Sequence, residues 1–89
     1  MTTGQIVYSK AGRDSGNAFV VIGIEEDNYV LIADGSKRRI EKAKKKKSKH
    51  LIETGFVDEF LKNKLVENIR VSNSDIRRSI ASYVQAKAE

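Results

Sequence analysis

The stretch GQIVYSKAGRDSGNAFVV, residues 4–21, decides the fold of this 89-residue chain. Residues 5–10 alternate weakly between apolar and polar side chains, which is typical of a half-buried β-strand. Residues 11–17 predict a loop, because two glycines permit positive φ and Asp and Asn form local turns. Residues 19–24 are rich in β-branched side chains and apolar on both faces, which favours a strand inside a closed barrel. The stretch therefore predicts a β-hairpin.

Three further short strands are expected after this hairpin. A turn over residues 25–28 leads into a strand over residues 29–32. The Asp-Gly pair at residues 34–35 is the strongest hairpin signal in the chain, since a type I′ turn needs two residues that tolerate positive φ. Shorter strands are expected around residues 37–41 and 49–53. Five short strands at this spacing predict a small β-barrel in a mainly β protein.

Beyond residue 53 the apolar period becomes helical. Acidic residues near position 58 predict the start of a first helix. Its apolar positions are Phe56, Phe60, Leu61, Leu65 and Ile69. A second helix of about three turns is expected from Asp75, with Ser72 or Ser74 as its cap. Its apolar stripe is Ile76, Ile80, Tyr83 and Val84. We therefore predict a barrel in residues 1–53 and a helical extension in residues 54–89.

The basic residues are concentrated in one segment. The chain carries a net charge of +5, yet residues 37–49 hold nine basic side chains and a single acidic one, Glu41. The nine are Lys37, Arg38, Arg39, Lys42, Lys44, Lys45, Lys46, Lys47 and Lys49. A block of this density attracts a polyanion by releasing its counterions. A solvated lysine run is the alternative, but we expect these side chains to contact phosphates, which position a protein without reading sequence.

Composition bounds the remaining functions. The chain has no cysteine, which excludes disulfides and thiolate metal sites and fits a reducing compartment. The longest apolar stretch, residues 18–24, is far shorter than the roughly 20 residues of a membrane helix. The N-terminus has neither a basic region nor an apolar region, so no signal peptide is expected. These features predict a cytoplasmic protein that does not bind membranes.

Catalytic equipment is not evident in the sequence. The serines of the predicted loop have no neighbouring base, and the aspartates at positions 14, 27 and 34 are expected in turns. The glycines at positions 12 and 16 are too close together for a nucleotide-binding fingerprint, which would also need a helix immediately after it. His50 is the only histidine and is interpreted as a surface residue near phosphates. We expect no enzyme activity, no cofactor, no metal and no small-molecule substrate.

Residues 4–21 resemble the KOW motif, which occurs in ribosomal proteins and in some transcription factors. The elements appear in order: Gly4 opening a strand, apolar residues, Gly12, the pair Arg13-Asp14, Gly16, then a β-branched strand. Over residues 4–53 the chain resembles the KOW-containing large-subunit ribosomal proteins of archaea and eukaryotes and their small bacterial relatives. The resemblance implies an SH3-like barrel, with RNA as the partner, ribosomal RNA in particular, and the ribosome by extension. The tail resembles only the small bacterial members and carries no implied function.

The predicted loop brings together groups suited to a phosphate backbone. Gly12 and Gly16 remove side-chain bulk and are expected to leave backbone N–H groups free, while Lys10 and Arg13 add positive charge. The alternative is two solvated charges, with Arg13 bridging the adjacent aspartate. Among the aromatic residues that are candidates for stacking on unpaired bases, Tyr29 is the best placed, beside a turn. The others are Tyr8 and Phe19.

Three functional hypotheses follow. The leading hypothesis is a module that binds structured RNA through the loop and the lysine-rich segment. The second is an SH3-like protein-interaction module that uses the barrel or the apolar stripe of the last helix. The third is non-specific polyanion or DNA binding through the lysines alone, for which Gly12→Val should leave affinity unchanged.

Overall fold

The computed structural model describes residues 1–10 and 12–88; Ala11, in the predicted loop, and Glu89 lie outside them. Five strands form one antiparallel sheet in the order β4-β3-β2-β1-β5. They are β1 (Gln5–Ser9), β2 (Ala18–Ile24), β3 (Tyr29–Ala33), β4 (Lys44–Lys47) and β5 (Leu51–Val57). A 3-10 helix, Ser48–His50, joins the two outer strands. The predicted small SH3-like barrel is confirmed.

Two apolar clusters lie on opposite faces of the sheet. The first fills the barrel and contains Val7, Phe19, Val21, Val30, Ile32 and Leu51. The second lies between the sheet and the helices and contains Ile6, Val20, Leu61, Val71 and Ile76. Strand β2 contributes alternate side chains to both clusters, as the two-fold period of a strand requires. Strand β2 is therefore apolar on both faces because one face lies in the barrel interior and the helices cover the other.

Helix α1 (Glu59–Val66) begins and ends through recognisable local bonds. The carboxylate of Asp58 accepts a hydrogen bond from the Leu61 amide, as an N-cap does. At the other end Asn68 takes φ 58°, and the Ile69 amide donates to the Lys64 carbonyl, a Schellman arrangement. The start predicted near Asp58 is confirmed, but two of the predicted apolar positions lie outside the helix, since Phe56 belongs to β5 and Ile69 follows the helix stop.

Helix α2 (Asn73–Ala88) has 16 residues and exceeds the predicted three turns. The Ser72 hydroxyl accepts from the Asp75 amide, and the Asp75 carboxylate accepts from the Ser72 amide, which makes a reciprocal capping box. The Ser72 amide, followed by the Lys64 ammonium, lowers the pKa of Asp75. Of the two predicted caps, Ser72 is the one used.

The helices share their core with the barrel. Ile76 is fully buried, and Ile80 and Tyr83 pack against the same cluster, so most of the predicted stripe faces the sheet. Val84 remains half-exposed. Strand β5 runs to Val57, four residues past the boundary predicted at residue 53. Neither helix of the described residues combines the length and apolarity that a membrane crossing requires.

The type I′ hairpin turn lies elsewhere than predicted. Asp27 and Asn28 take φ of 58° and 66°, as both central residues of such a turn must, and they join β2 to β3. Gly35 has φ 77°, but Asp34 is not among the positive-φ residues of the described chain. The Asp34 carboxylate instead accepts from the amides of Ser36 and Arg38 and starts a longer loop.

The strand predicted over residues 37–41 does not form. Residues 40–42 make a 3-10 helix, and the Ile40 amide donates to the side-chain oxygen of Asn73 in α2 rather than to a neighbouring strand. The fourth strand is the lysine run itself, Lys44–Lys47, paired with β3. The run was expected to lie between two strands, but it is itself a strand of the sheet. It forms an outer strand, where lysine also discourages pairing with another chain.

Candidate nucleic-acid interface

The glycine loop between β1 and β2 depends on two residues with positive φ. Gly12 and Gly16 take φ of 78° and 83°, and a Cβ at either position would meet no atom within 4 Å. The requirement for glycine is therefore conformational, as the sequence predicted, and steric crowding plays no part. Both glycines are exposed, so this loop presents its backbone at the surface.

The loop uses several of its own amides. The Gly16 amide donates to the Ser9 carbonyl at 2.7 Å, and the amides of Ser15 and Asn17 donate to carbonyls within the loop. The expectation that glycine leaves these N–H groups free is wrong for Gly16, because the tight turn pairs its amide with β1. Contacts to a ligand at this end of the loop must therefore come mainly from side chains.

Asp14 connects the loop to the lysine strand. Its carboxylate lies 2.9 Å from the Lys44 Nζ and 3.5 Å from an Arg38 guanidinium nitrogen, and the residue is 8% exposed. The Lys44 hydrogen bond lowers the pKa of Asp14 against the opposing effect of burial, and the charges of Lys44, Arg38 and Lys46 lower it further. Among the described ion pairs, Asp14 pairs with Lys44 and Arg38. The predicted alternative, in which Arg13 bridges Asp14, is not among them. Arg13 is exposed.

The lysines of β4 divide between two faces of the strand. Lys44 and Lys46 stand opposite the buried Ile32 and Val30, and so lie on the barrel side. The ammonium of Lys46 donates to the Ser9 hydroxyl at 3.0 Å, across the barrel mouth from β4 to β1. These two lysines therefore help to hold the barrel and its glycine loop together.

The other two lysines lie with an aromatic ring on the outer face. Lys47 is directly opposite Tyr29, and Lys45 is opposite Leu31. Their Nζ atoms lie 5.5 Å and 5.1 Å from the centre of the Tyr29 ring, within cation–π range. Tyr29 is partly exposed, so an aromatic face and two ammonium groups are offered side by side.

Helix α2 holds the loop that carries Lys37, Arg38 and Arg39. The Asn73 side chain accepts from the Ile40 amide at 2.8 Å and donates to the Glu41 carboxylate at 2.8 Å. The Arg77 guanidinium donates to the Gly35 carbonyl. A Cβ on Gly35 would come within 2.4 Å of the Asn73 carbonyl oxygen, so helix and loop are in close contact. Sequence reasoning missed Asn73 and Arg77, because their partners lie more than 30 residues away.

The predicted basic residues lie along adjoining elements. The backbone amide of Lys10 donates to the carbonyl of His50, which brings the end of β1 beside the 3-10 helix that contains Lys49. Lys10, Arg13, Lys37, Arg39, Lys42, Lys45 and Lys49 are exposed, whereas Arg38, Lys44, Lys46 and Lys47 are partly buried. Arg39 pairs with Glu41 at 3.6 Å. We call these eleven residues the basic surface.

Two of the three aromatic candidates for base stacking have packing roles. Phe19 is 1% exposed inside the barrel, so its candidacy is wrong. Tyr8 is partly buried and makes an edge contact with Tyr83, with ring centres 6.1 Å apart. Tyr29 is therefore the partly exposed candidate that lies beside the lysine strand.

Within residues 1–10 and 12–88, no group of three or more His, Asp or Glu side chains could hold a metal ion. Neither a protein-family model nor a curated protein sequence matches the chain. The resemblance to KOW proteins therefore rests on the sequence of residues 4–53 alone.

Proposed function

We propose that this protein binds structured RNA, acting as a binding module and not as an enzyme, with ribosomal RNA in the cytoplasm as its partner. The basic surface would contact phosphates through residues other than Lys44 and Lys46, which bond within the barrel, and Tyr29 would stack on an unpaired base. Ribosomal RNA is the partner that the KOW resemblance favours. Such binding combines electrostatic attraction with recognition of RNA shape.

The observation that carries the proposal is the bond between Asp14 and Lys44. Because Asp14 belongs to the glycine loop and Lys44 to the lysine strand, two basic segments 30 residues apart in sequence lie side by side. Basic groups on the adjoining loop and strand would be placed to contact neighbouring phosphates of one backbone, and such contacts position a protein on its nucleic acid. The Asp14–Lys44 bond therefore supports a single binding surface made of the glycine loop and the lysine strand.

The surroundings of Tyr29 support stacking. Cation–π contacts at an exposed site contribute about 0.5–1 kcal/mol, whereas stacking of a base on an aromatic ring contributes about 1–3 kcal/mol. A base can therefore displace an ammonium from the Tyr29 ring, and the released lysine can bind the phosphate beside that base. Lys45 and Lys47 are both placed for this exchange.

Salt dependence of RNA affinity tests the proposal. We would measure binding of a fluorescent ribosomal RNA fragment by anisotropy over a series of salt concentrations. The double substitution Lys45→Gln with Lys47→Gln should weaken binding and reduce the slope of log K against log salt by about one for each lysine that contacts a phosphate. Lys62→Gln, which removes a lysine of α1, should leave that slope unchanged.

Two results would count against RNA binding. The first is affinity that hardly changes with salt, and the second is equal loss of affinity in the α1 control and the β4 variant. Association with ribosomes can be tested by co-sedimentation before and after nuclease treatment. Retention on a protein partner after the RNA is digested would favour the protein-interaction alternative.

A further inference from the structure

A groove of about 720 Å³ runs between α2 and the barrel, beside the glycine loop. It is lined by Ile80, Ala81 and Val84 of α2 together with Ala18 of β2 and Tyr8 of β1. Val84 is half-exposed in it, although it follows the buried part of the helix stripe. The volume and the apolar lining are those of a site for a small ligand or for part of a larger one.

Polar groups lie at the edges of this apolar groove. The amides of Asn17 and Gln85 line it, and each can both donate and accept hydrogen bonds, as the edge of a nucleobase requires. Apolar walls with a few convergent polar groups suit a flat heteroaromatic ring, which presents an apolar face and a polar edge.

The charge of the groove favours an anion. Lys37 and Arg77 line it, and the Lys87 Nζ lies 5.2 Å from the centre of the Tyr8 ring. The acidic lining residue, Asp34, already accepts hydrogen bonds from two backbone amides through its carboxylate. Two cations against one carboxylate give this lining a net positive charge, and the Arg77 guanidinium also donates hydrogen bonds to the Gly35 carbonyl and the Ser74 hydroxyl.

We propose that this groove holds one unpaired nucleotide of the bound RNA, with the base against Ile80, Ala81 and Val84 and its phosphate near Lys37 and Arg77. The inference rests on the proposed function and extends it from the basic surface to α2. Two residues connect the regions: Gly16 belongs to the glycine loop and Lys37 to the basic surface, and both line the groove. The helical tail thereby takes part in recognition.

The same features favour a nucleotide over a protein segment. An apolar helix or strand in this groove would bring few negative charges to Lys37 and Arg77. It would also offer no defined hydrogen-bond partners to the side-chain amides of Asn17 and Gln85. A nucleotide supplies the anion, the apolar face and the polar edge together.

Filling the groove without changing charge tests the inference. Ala81 lines the groove and is exposed, so Ala81→Leu should occupy its space while preserving the helix. Ala86 is also exposed on α2 but does not line the groove, so Ala86→Leu is the matched control. The probes are a fluorescent RNA duplex of about 20 base pairs and the same duplex with one bulged adenosine.

We expect the wild-type protein to bind the bulged RNA about tenfold more tightly than the paired duplex. A difference of this size corresponds to the stacking of one base on the protein. Ala81→Leu should abolish that preference and keep the affinity for the paired duplex, whereas Ala86→Leu should keep both. Adenosine monophosphate titrated into isotope-labelled protein should shift the amide resonances of Asn17, Ala81 and Val84.

The outcomes separate this inference from the function on which it rests. Salt-dependent binding of both RNAs without preference for the bulge, or a preference that survives Ala81→Leu, would overturn the nucleotide site and leave RNA binding intact. Unmoved resonances at Asn17, Ala81 and Val84 would also overturn it and make a protein segment the remaining occupant. Failure of the wild-type protein to bind either RNA would overturn the proposed function, and the groove site with it.

Discussion

The carboxylate of Asp14 accepts a hydrogen bond from the Lys44 Nζ at 2.9 Å and lies 3.5 Å from a nitrogen of Arg38. Asp14 is the acidic member of the motif pair, and its buried carboxylate turns inward while the neighbouring Arg13 stays exposed. One acidic residue thus aligns the glycine loop with the start of the lysine strand. The adjacent charges of the motif have different roles: one organises the surface and the other remains available to a ligand.

Asp14→Asn should destabilise the protein at pH 7 by about 1 kcal/mol, because it removes a charged hydrogen-bond partner from a lysine that is partly screened by solvent. The free energy of unfolding in urea measures this loss. Asp27→Asn is the control, since residue 27 has positive φ, which both side chains tolerate, and no ion pair forms there in the described structure. Equal effects of both substitutions would contradict the role of Asp14.

The stability contributed by Asp14 should depend on pH. Folding lowers the pKa of its carboxyl, so the folded state binds its proton less readily than the unfolded state does. The contribution is therefore complete above the ordinary pKa of aspartate, about 3.9, and is lost as pH falls through the lower folded value. We expect the wild-type and Asp14→Asn unfolding energies to differ by a constant amount from pH 7 to about pH 5 and to converge in strong acid. A difference that grows on acidification would be inconsistent with this pairing.

Gly35→Ala and Gly12→Ala should differ in severity, although both residues have φ near 77°. At Gly12 the added Cβ meets open space, so the cost is backbone strain alone, about 1 kcal/mol. At Gly35 the Cβ would also press on the Asn73 carbonyl at 2.4 Å, and the total should reach about 3 kcal/mol. Thermal unfolding monitored by circular dichroism distinguishes the two. Similar melting points would show that α2 does not press on this loop in solution.

Ser72→Ala should lower stability by about 1 kcal/mol, since it removes the hydroxyl that caps α2. Ser82→Ala, at an exposed position inside the same helix, should change stability by less than about 0.5 kcal/mol. Urea unfolding of both variants provides the comparison. Because α2 contributes Ile76 to the core, loss of the cap should appear in the global transition and not as fraying of the helix alone.

Tyr29→Leu should weaken binding of a single-stranded RNA by about fivefold to tenfold, because it removes the aromatic face on which a base stacks. Tyr29→Phe keeps that face and should bind as the wild-type protein does. Fluorescence anisotropy with a short uridine-rich oligonucleotide measures both. Equal weakening by the two substitutions would assign the effect to the hydroxyl and exclude stacking.

The local features of the barrel were readable from the sequence. The glycines at positions 12 and 16 predicted positive φ, and the β-branched run predicted β2, because both depend on neighbouring residues. The start of α1 beside Asp58 and the Ser72 cap were also local signals. The density of lysine likewise predicted one highly basic segment, because charge follows directly from composition.

The strand assignments of residues 34–47 required the tertiary structure. The Asp-Gly pair alone predicted a type I′ turn. In the structure, the Asp34 carboxylate accepts hydrogen bonds from the backbone amides that follow it, and the Asn73 side chain accepts one from the Ile40 amide. The lysine run then pairs with β3 because it is the next segment able to satisfy that strand's backbone groups. Four consecutive lysines show no alternation of apolar and polar side chains, so the sequence of the run could not predict a strand.

By itself, the sequence determined the charge of this protein, the glycine loop that opens its barrel and the approximate places of its elements, since each of these is set by composition or by residues close in the chain. Only the tertiary structure decided that Asp14 pairs with Lys44 and that Asn73 of α2 bonds to the Ile40 amide. It alone also placed a groove beside Gly16, between α2 and the barrel. Those relationships connect residues 30 or more positions apart. They arise when both faces of the sheet are buried and distant polar groups must find partners.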